Sequence, residues 1–409
     1  MSGGALEGVK ILDLSRILAA PFASQLLGDL GADVIKVERP GAGDDSRSYG
    51  PPFLKDGFGN PTEDAAFYLA CNRNKRSIAV DHATEAGRKI ILDLAQQSDV
   101  LIENFRPGVL AKYGLDHASL CAANPRLIYC SVTGFGQDGP YANRPGYDGV
   151  FQAMSGMMSV SGLPDGVPGG GPMKVGVSMI DILAGLYAAN AIQAALHYRN
   201  QVSGKGQYID LALLDCGVAA LSHYVQNYLV SGTIPERRGN GGFGGIPSQS
   251  FRCADGELFL VASTVKQFRA LAGVLGQPEL ADDQRFSSVQ ARIAHRDELL
   301  AILDAAFVTR GVDEWISALE MADVPVSPVN DLDGVFANAQ VQHRELLQQV
   351  DHPVAGTIEL LRSPIRLSAI SRTDIIPPPG LGEQTDEVLR SLGYSDLVID
   401  AMRSSGAIG

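Results

Sequence analysis

Basic residues are in short supply. Thirty-three Lys and Arg stand against 46 Asp and Glu, a formal net charge of -13. That balance argues against a nucleic-acid or anionic-membrane binder, while leaving room for a local basic pocket. Cysteine is sparse too. Cys71, Cys121, Cys130, Cys216 and Cys253 form no CxxC pair, and reduced thiols are expected. The seven histidines make no HxxxH or HxH pair, so no metal is expected. No GxGxxG opens the first βα turn, which reads Ser15-Arg-Ile-Leu-Ala-Ala-Pro21, and a nicotinamide cofactor is disfavoured. The first eight residues have neither the basic nor the apolar region of a signal peptide, and a cytoplasmic location is expected. Internal repeats and low-complexity segments are absent.

What is present is a long chain with ample apolar content. Its 409 residues, 45% hydrophobic, suffice for two or three domains and a large core. Val9-Lys-Ile-Leu-Asp-Leu14 reads as a buried strand, 19–30 as a helix, and Val34-Ile-Lys-Val-Glu38 as the next strand. Strand and helix go on alternating through 77–80, 85–97, 100–103 and 127–132, the pattern of a parallel sheet. A helix is expected over 213–230. From Phe251 to about Pro328 the pattern shifts to a short strand and several helices, a second small domain. Helices near 381–392 and 397–404 close the chain. The expected divisions are 1–225, 226–330 with a glycine loop at its start, and 331–409.

One stretch organises the rest. Between Lys174 and Arg199 the only formally charged residue is Asp181. The run near 175–198 is the only one with the length of a membrane span. Its Asp181, Asn190, Gln193 and His197 favour a buried helix, and no membrane partner is expected. Ser178 with Asp181 three residues on has the spacing of a capping box. Two compatible readings stay open. Asp181 caps a helix, or it is a nucleophile held at a helix start.

Basic residues gather near strand ends: Arg39 after 34–38, then Arg73, Lys75 and Arg76 before 77–80, then Arg106 after 100–103. In open α/β sheets ligands bind at strand ends, and such a cluster suits phosphates. Solvated surface charge is the plain alternative. Arg237-Arg-Gly-Asn-Gly-Gly-Phe-Gly-Gly-Ile-Pro247 is a glycine-dense loop, either a mobile lid or a simple connection.

Six ordered motifs together resemble the class III (CaiB/BaiF, formyl-CoA transferase-like) CoA-transferases. They are Leu26-Leu-Gly-Asp-Leu-Gly-Ala-Asp-Val-Ile-Lys-Val-Glu-Arg-Pro40, Asn72-Arg-Asn-Lys-Arg-Ser-Ile78, Glu103-Asn-Phe-Arg-Pro-Gly108, Val132-Thr-Gly-Phe-Gly-Gln137, Gly176-Val-Ser-Met-Ile-Asp181 and Leu381-Gly-Glu-Gln-Thr-Asp-Glu-Val-Leu389. Gly41-Ala-Gly-Asp-Asp-Ser-Arg-Ser-Tyr-Gly-Pro-Pro52 adds a likeness to the succinyl-CoA:glutarate branch.

The resemblance implies an α/β fold. A Rossmann-like large domain is built from both chain ends, with a small α+β domain, in an interlocked homodimer. It places Asp181 as the catalytic aspartate. Ile17, Leu18, Arg39, Lys75, Asn104, Phe105 and Arg106 match CoA-contacting positions. Gly241, Gly242, Gly244 and Gly245, interrupted by Phe243, sit where some members carry a loop over the site, and Tyr147 falls in the substrate region. No permanently bound cofactor is implied. Coenzyme A thioesters and carboxylic acids are the substrates.

The implied activity moves CoA from a donor, succinyl-CoA foremost, to a short dicarboxylate of the glutarate, itaconate, mesaconate or citramalate class through an aspartyl-CoA thioester. An α-methylacyl-CoA racemase is the alternative within the family. Its histidine would fall in Gly146-Tyr147-Asp148, where this chain has none. A catalytically silent CoA-binding protein is another. An arginine is expected to read the acceptor's far carboxylate, and Arg16, Arg73, Arg144 and Arg238 are the candidates.

Overall fold

Six strands pair in parallel to form the central sheet. They are β1 (Lys10–Asp13), β2 (Asp33–Glu38), β3 (Lys75–Ala79), β4 (Val100–Glu103), β5 (Ile128–Thr133) and β6 (Tyr208–Ala212), in the order 3-2-1-4-5-6. This computed structural model describes residues 4–242, 244–370 and 374–409. The strands read as near-continuous apolar runs because helices cover both faces, as parallel sheets require. Every residue of β4 and β5 is buried. Alternate strand residues feed two cores. Ile11, Val100 and Ile102 pack with α1 (Ala19–Asp29), while Leu12 and Leu101 pack with α2 (Glu85–Gln97). The Thr84 hydroxyl caps α2 by accepting the Gly87 N–H at 3.0 Å.

The chain continues through α3 (Asp148–Met154) into α4 (Met179–Tyr198), which packs on α1. Gly185 permits that crossing, since a Cβ there would stand 2.7 Å from the Ala19 carbonyl oxygen. Met179–Ser203 is long and apolar enough to cross a membrane by length and composition; Ile180, Ala184, Ala188 and Ile192 are fully buried in the core that α4 shares with α1, while Leu186, Tyr187 and Tyr198 are exposed. The helix expected over 213–230 is two, α5 (Leu213–Ala220) and α6 (His223–Ser231). Ser222 between them adopts φ 44°, which a helix cannot continue through.

The chain divides into two compact units. The first comprises residues 1–157, 175–231 and 344–409. Both chain ends do contribute to it. Val388, Leu389 and Ile399 of the closing helices enter the α2 core, and the Gly409 N–H donates to the Ala79 carbonyl at 3.0 Å.

The second unit comprises 158–174 and 232–343, so its main segment runs from 232 to 343 rather than from 226 to 330. It also includes 158–174, a segment expected in the first. Segment 158–174 pairs with residues distant in sequence. Gly239 N–H donates to the Gly162 carbonyl at 3.0 Å, and Arg237 bonds the Leu163 carbonyl and Asp165. This unit is α+β. Val326–Pro328, Glu257–Val261 and Ser248–Arg252 form an antiparallel sheet, with helices Val265–Val274, Arg296–Phe307 and Val312–Met321. The indole of buried Trp315 donates to the Phe307 carbonyl at 2.8 Å. In the glycine loop, Gly241 and Gly242 donate N–H groups to the Arg238 and Ser248 carbonyls, Gly244 holds φ +117°, and Gly245 packs on Ser263. Phe243 lies outside the described residues.

Candidate active site

Strand β1 ends on Asp13, and the chain turns through Ser15, Arg16 and Ile17 before α1. Ile17 holds φ 73°. A β-branched residue there is a genuine outlier, at a cost of order 1–3 kcal/mol. Side chains from elsewhere hold the turn. Asn104 accepts the Arg16 N–H at 2.9 Å and donates back to the Arg16 carbonyl at 2.7 Å. The Ile17 N–H donates to Asp44 at 3.1 Å. Asp44 is itself buried and pairs with buried Lys36 at 2.8 Å. Burial pushes the Asp44 carboxyl up, but Lys36 outweighs burial and holds it well below the usual carboxylate range.

The turn forms one wall of a cavity of about 400 Å³ at the carboxyl ends of β1, β4 and β5. The strand order reverses between β1 and β4, where open α/β sheets place ligands. Ile17, Leu18, Asn104, Phe105, Arg106, Tyr147 and Asp181 all line this cavity. Helix α1 starts there without a side-chain cap, so its first backbone N–H groups favour negative charge.

Asp181 sits in the first turn of α4. The capping box expected from Ser178 does not form, because the Ser178 side chain makes no cap bond. Asp148, the first residue of α3, does that work. Its Oδ1 accepts the Ile180 N–H at 2.8 Å, and its Oδ2 accepts the Gln152 amide at 2.6 Å. Gln152 in turn accepts the Val175 N–H at 2.9 Å and so holds the approach to α4. Asp181 is left half-buried, with no hydrogen bond or ion pair among the described residues. Burial, and then the neighbouring Asp148 charge, push its carboxyl up to about 7. The helix start alone would favour ionisation. Burial wins because nothing cationic is paired with the group.

A second carboxyl behaves alike. Glu103 closes β4, accepts the Phe105 N–H at 2.7 Å and bonds the Ser131 hydroxyl. Burial pushes it up to about 7 against those two bonds. It holds the backbone of the loop that carries Asn104, Phe105 and Arg106.

Arg39 lies in a smaller slot of about 80 Å³ beside the cavity, with His82, Phe105 and Leu110. Arg16 and Phe105 line both spaces. Lys75, expected among the CoA-contacting residues, is engaged elsewhere. It begins β3, is fully buried, and its three donors go to Asp13 at 3.0 Å, the Pro21 carbonyl at 2.9 Å and Asn72 at 2.9 Å. No donor remains for a phosphate. Arg73 is spent on Asp29, and Arg76 on Asp33 and Glu387. Gly241, Gly242, Gly244 and Gly245 belong to the second unit.

Sequence reasoning passed over Asp148 and Glu103. Asp148 had a faint signal, since Gln152 lies one helical turn on, the (i, i+4) spacing of side-chain neighbours. Glu103 opens the motif 103–108, but nothing in the sequence marks its burial. No group of His, Cys, Asp and Glu among the described residues could hold a metal ion. An unpartnered carboxylate that ionises near neutrality, in a pocket with Arg16, Arg106 and Arg144, is equipped to attack a carbonyl bound as part of an anion.

Comparisons with known proteins agree in kind. Residues 6–385 match the model of the family described as CoA-transferase family III. The chain is 42% identical over 404 residues, 98% of this chain and 90% of the relative, to a human protein named succinyl-CoA:glutarate CoA-transferase. Over 387 residues, 95% of each chain, it is 44% identical to an Agrobacterium fabrum protein named succinate–glutarate CoA-transferase. A solved CaiB/BaiF family protein from Brucella suis superposes with a TM-score of 0.85 at 43% identity, covering 96% of this chain and 100% of that one.

Proposed function

The chain belongs to CoA-transferase family III, and from that premise we propose that it moves CoA from succinyl-CoA to a short dicarboxylate of the glutarate class, with Asp181 as the covalent carrier. The observation that carries this reading is the unpartnered Asp181 carboxylate, spared from capping by Asp148 and facing the cavity. The names of the human and Agrobacterium relatives support the donor and acceptor class.

In the first step an Asp181 oxygen attacks the thioester carbonyl, and the C–S bond breaks to give a mixed anhydride and CoA thiolate. The thiolate then attacks the aspartyl carbonyl, releasing succinate and leaving an aspartyl-CoA thioester. The acceptor carboxylate attacks that thioester and expels the thiolate again. Attack of the thiolate on the acceptor's acyl carbon yields the new acyl-CoA and restores Asp181. The exchange conserves the thioester energy because hydrolysis is avoided. Arg106 and Arg39 suit the CoA phosphates, and Phe105 stands between their two spaces. Helix-start N–H groups at Leu18 and Ala19 favour the tetrahedral oxyanion.

A panel of acids offered with succinyl-CoA, with CoA products separated by chromatography, tests the activity. Trapping with hydroxylamine or borohydride should modify Asp181 within the peptide spanning 175–199. Modification of another carboxylate overturns the assignment, and binding without exchange favours the silent CoA-binding alternative. A racemase is disfavoured, since no histidine lines the cavity.

A homodimer belongs to the same proposal. Met154, Leu186, Tyr187, Tyr198, Leu229 and Val230 are exposed apolar side chains that a second copy of the chain would cover. Sedimentation should give twice 43.3 kDa; an active species at the single-chain mass refutes it.

A further inference from the structure

A short dicarboxylic acid brings two carboxylates. One reacts, and the other stays ionised and must meet a cation or water where it is bound. The candidate arginines now separate by environment. Arg73 is buried and bonded to both Asp29 oxygens, away from the cavity lining. Arg238 is carried by the second unit. Arg16 lines the cavity, but its guanidinium pairs with Asp45 at 3.0 Å. Arg106 sits on the loop read above as the CoA holder.

Arg144 lines the same cavity as Asp181 and makes no ion pair among the described residues. It is nevertheless positioned. Its guanidinium lies over the Tyr141 ring, 3.7 Å from the centroid, and its backbone N–H donates to the Tyr141 carbonyl at 2.8 Å. Tyr141 packs edge-on against Phe135, which packs against buried Phe151. The Tyr141 ring covers one side of the guanidinium, whose N–H groups make no hydrogen bond or ion pair among the described residues. Those N–H groups form the fork that matches a carboxylate bidentately.

We propose that Arg144 binds the distal carboxylate of the dicarboxylic acid presented to Asp181, and so sets the preference for dicarboxylates over monocarboxylates. This rests on the transferase reading of the site. A charge-assisted bidentate contact of this type corresponds to a change of about 10- to 100-fold in affinity.

The test compares glutarate with pentanoate, the same five-carbon chain without the distal carboxylate. Calorimetry with the CoA-loaded protein is run beside exchange from succinyl-CoA. Arg144→Gln should weaken glutarate binding and raise its KM by about 10- to 100-fold, leaving pentanoate binding unchanged. Arg144→Lys should recover part of the glutarate affinity, since it restores the charge but not the fork. Arg144 is exposed, and melting curves of the variants should match the wild type. Equal effects on both acids, no effect on either, or no glutarate binding to the wild type overturns the proposal. Failure of the wild type to exchange CoA with any acid overturns the transferase reading instead, and calorimetry still decides Arg144.

Discussion

Asp181 should impose an acid limb on catalysis near neutral pH. Burial and the Asp148 charge raise its carboxyl from 3.8 to about 7, and only the ionised form is a nucleophile. With that value, about half the molecules are competent at pH 7, about a tenth at pH 6 and about a hundredth at pH 5. The profile of kcat/KM for the acyl-CoA donor, which reports the free enzyme, should fall tenfold per pH unit below about 7. CoA exchange measured by chromatography across about pH 5 to 8.5 reads this directly. Glu103 has a carboxyl in the same range and must be separated. Glu103→Gln should retain the limb. A flat profile, or a limb abolished in Glu103→Gln, refutes the assignment to Asp181.

Stability should move the opposite way. An acid whose folded value exceeds its unfolded one favours the protonated native state. The native protein therefore loses stability as pH rises from about 4 through about 7, and the loss persists above that. The full shift would amount to roughly 4 kcal/mol, and water at the cavity mouth reduces it. Asp181→Asn should then be about 1–2 kcal/mol more stable than the wild type at pH 8, and no more stable at pH 4. Denaturant melts at the two pH values decide it, and equal gains at both would contradict the electrostatic origin.

Asp148→Ala removes the acceptor for the Ile180 N–H and the Gln152 amide, so about 1–3 kcal/mol of stability should go. With that charge gone, the surviving activity should show its acid limb at lower pH, and an unmoved limb counts against the coupling. Arg106→Ala should raise KM for every acyl-CoA donor alike, and an effect on one donor only would remove Arg106 from CoA binding. Gly185→Ala gains helix propensity, yet its Cβ would meet the Ala19 carbonyl oxygen at 2.7 Å. Thermal unfolding should show a net loss of about 1–3 kcal/mol, and a stabilised variant would refute the tight crossing.

The sequence by itself determined whatever depends on chain neighbours. Alternating apolar runs gave the parallel βαβ elements, because strand and helix periodicities are local. The strand 100–103 and the helix 85–97 came out to the residue. Asp181 stood out as the lone charge in an apolar run, since an isolated charge there is costly wherever the run folds. Tertiary structure decided which polar group meets which. Ser178 had the spacing of a cap, but Asp148, 30 residues earlier in the chain, reaches the helix start instead. Lys75 looks like a free cation in the sequence, but Asp13, Asn72 and the Pro21 carbonyl take its three donors. Segment 158–174 joined the second unit through hydrogen bonds to residues 237–239. These outcomes turn on burial and long-range pairing. A side chain's charge is written in the sequence, but its partners are set only when distant segments pack together.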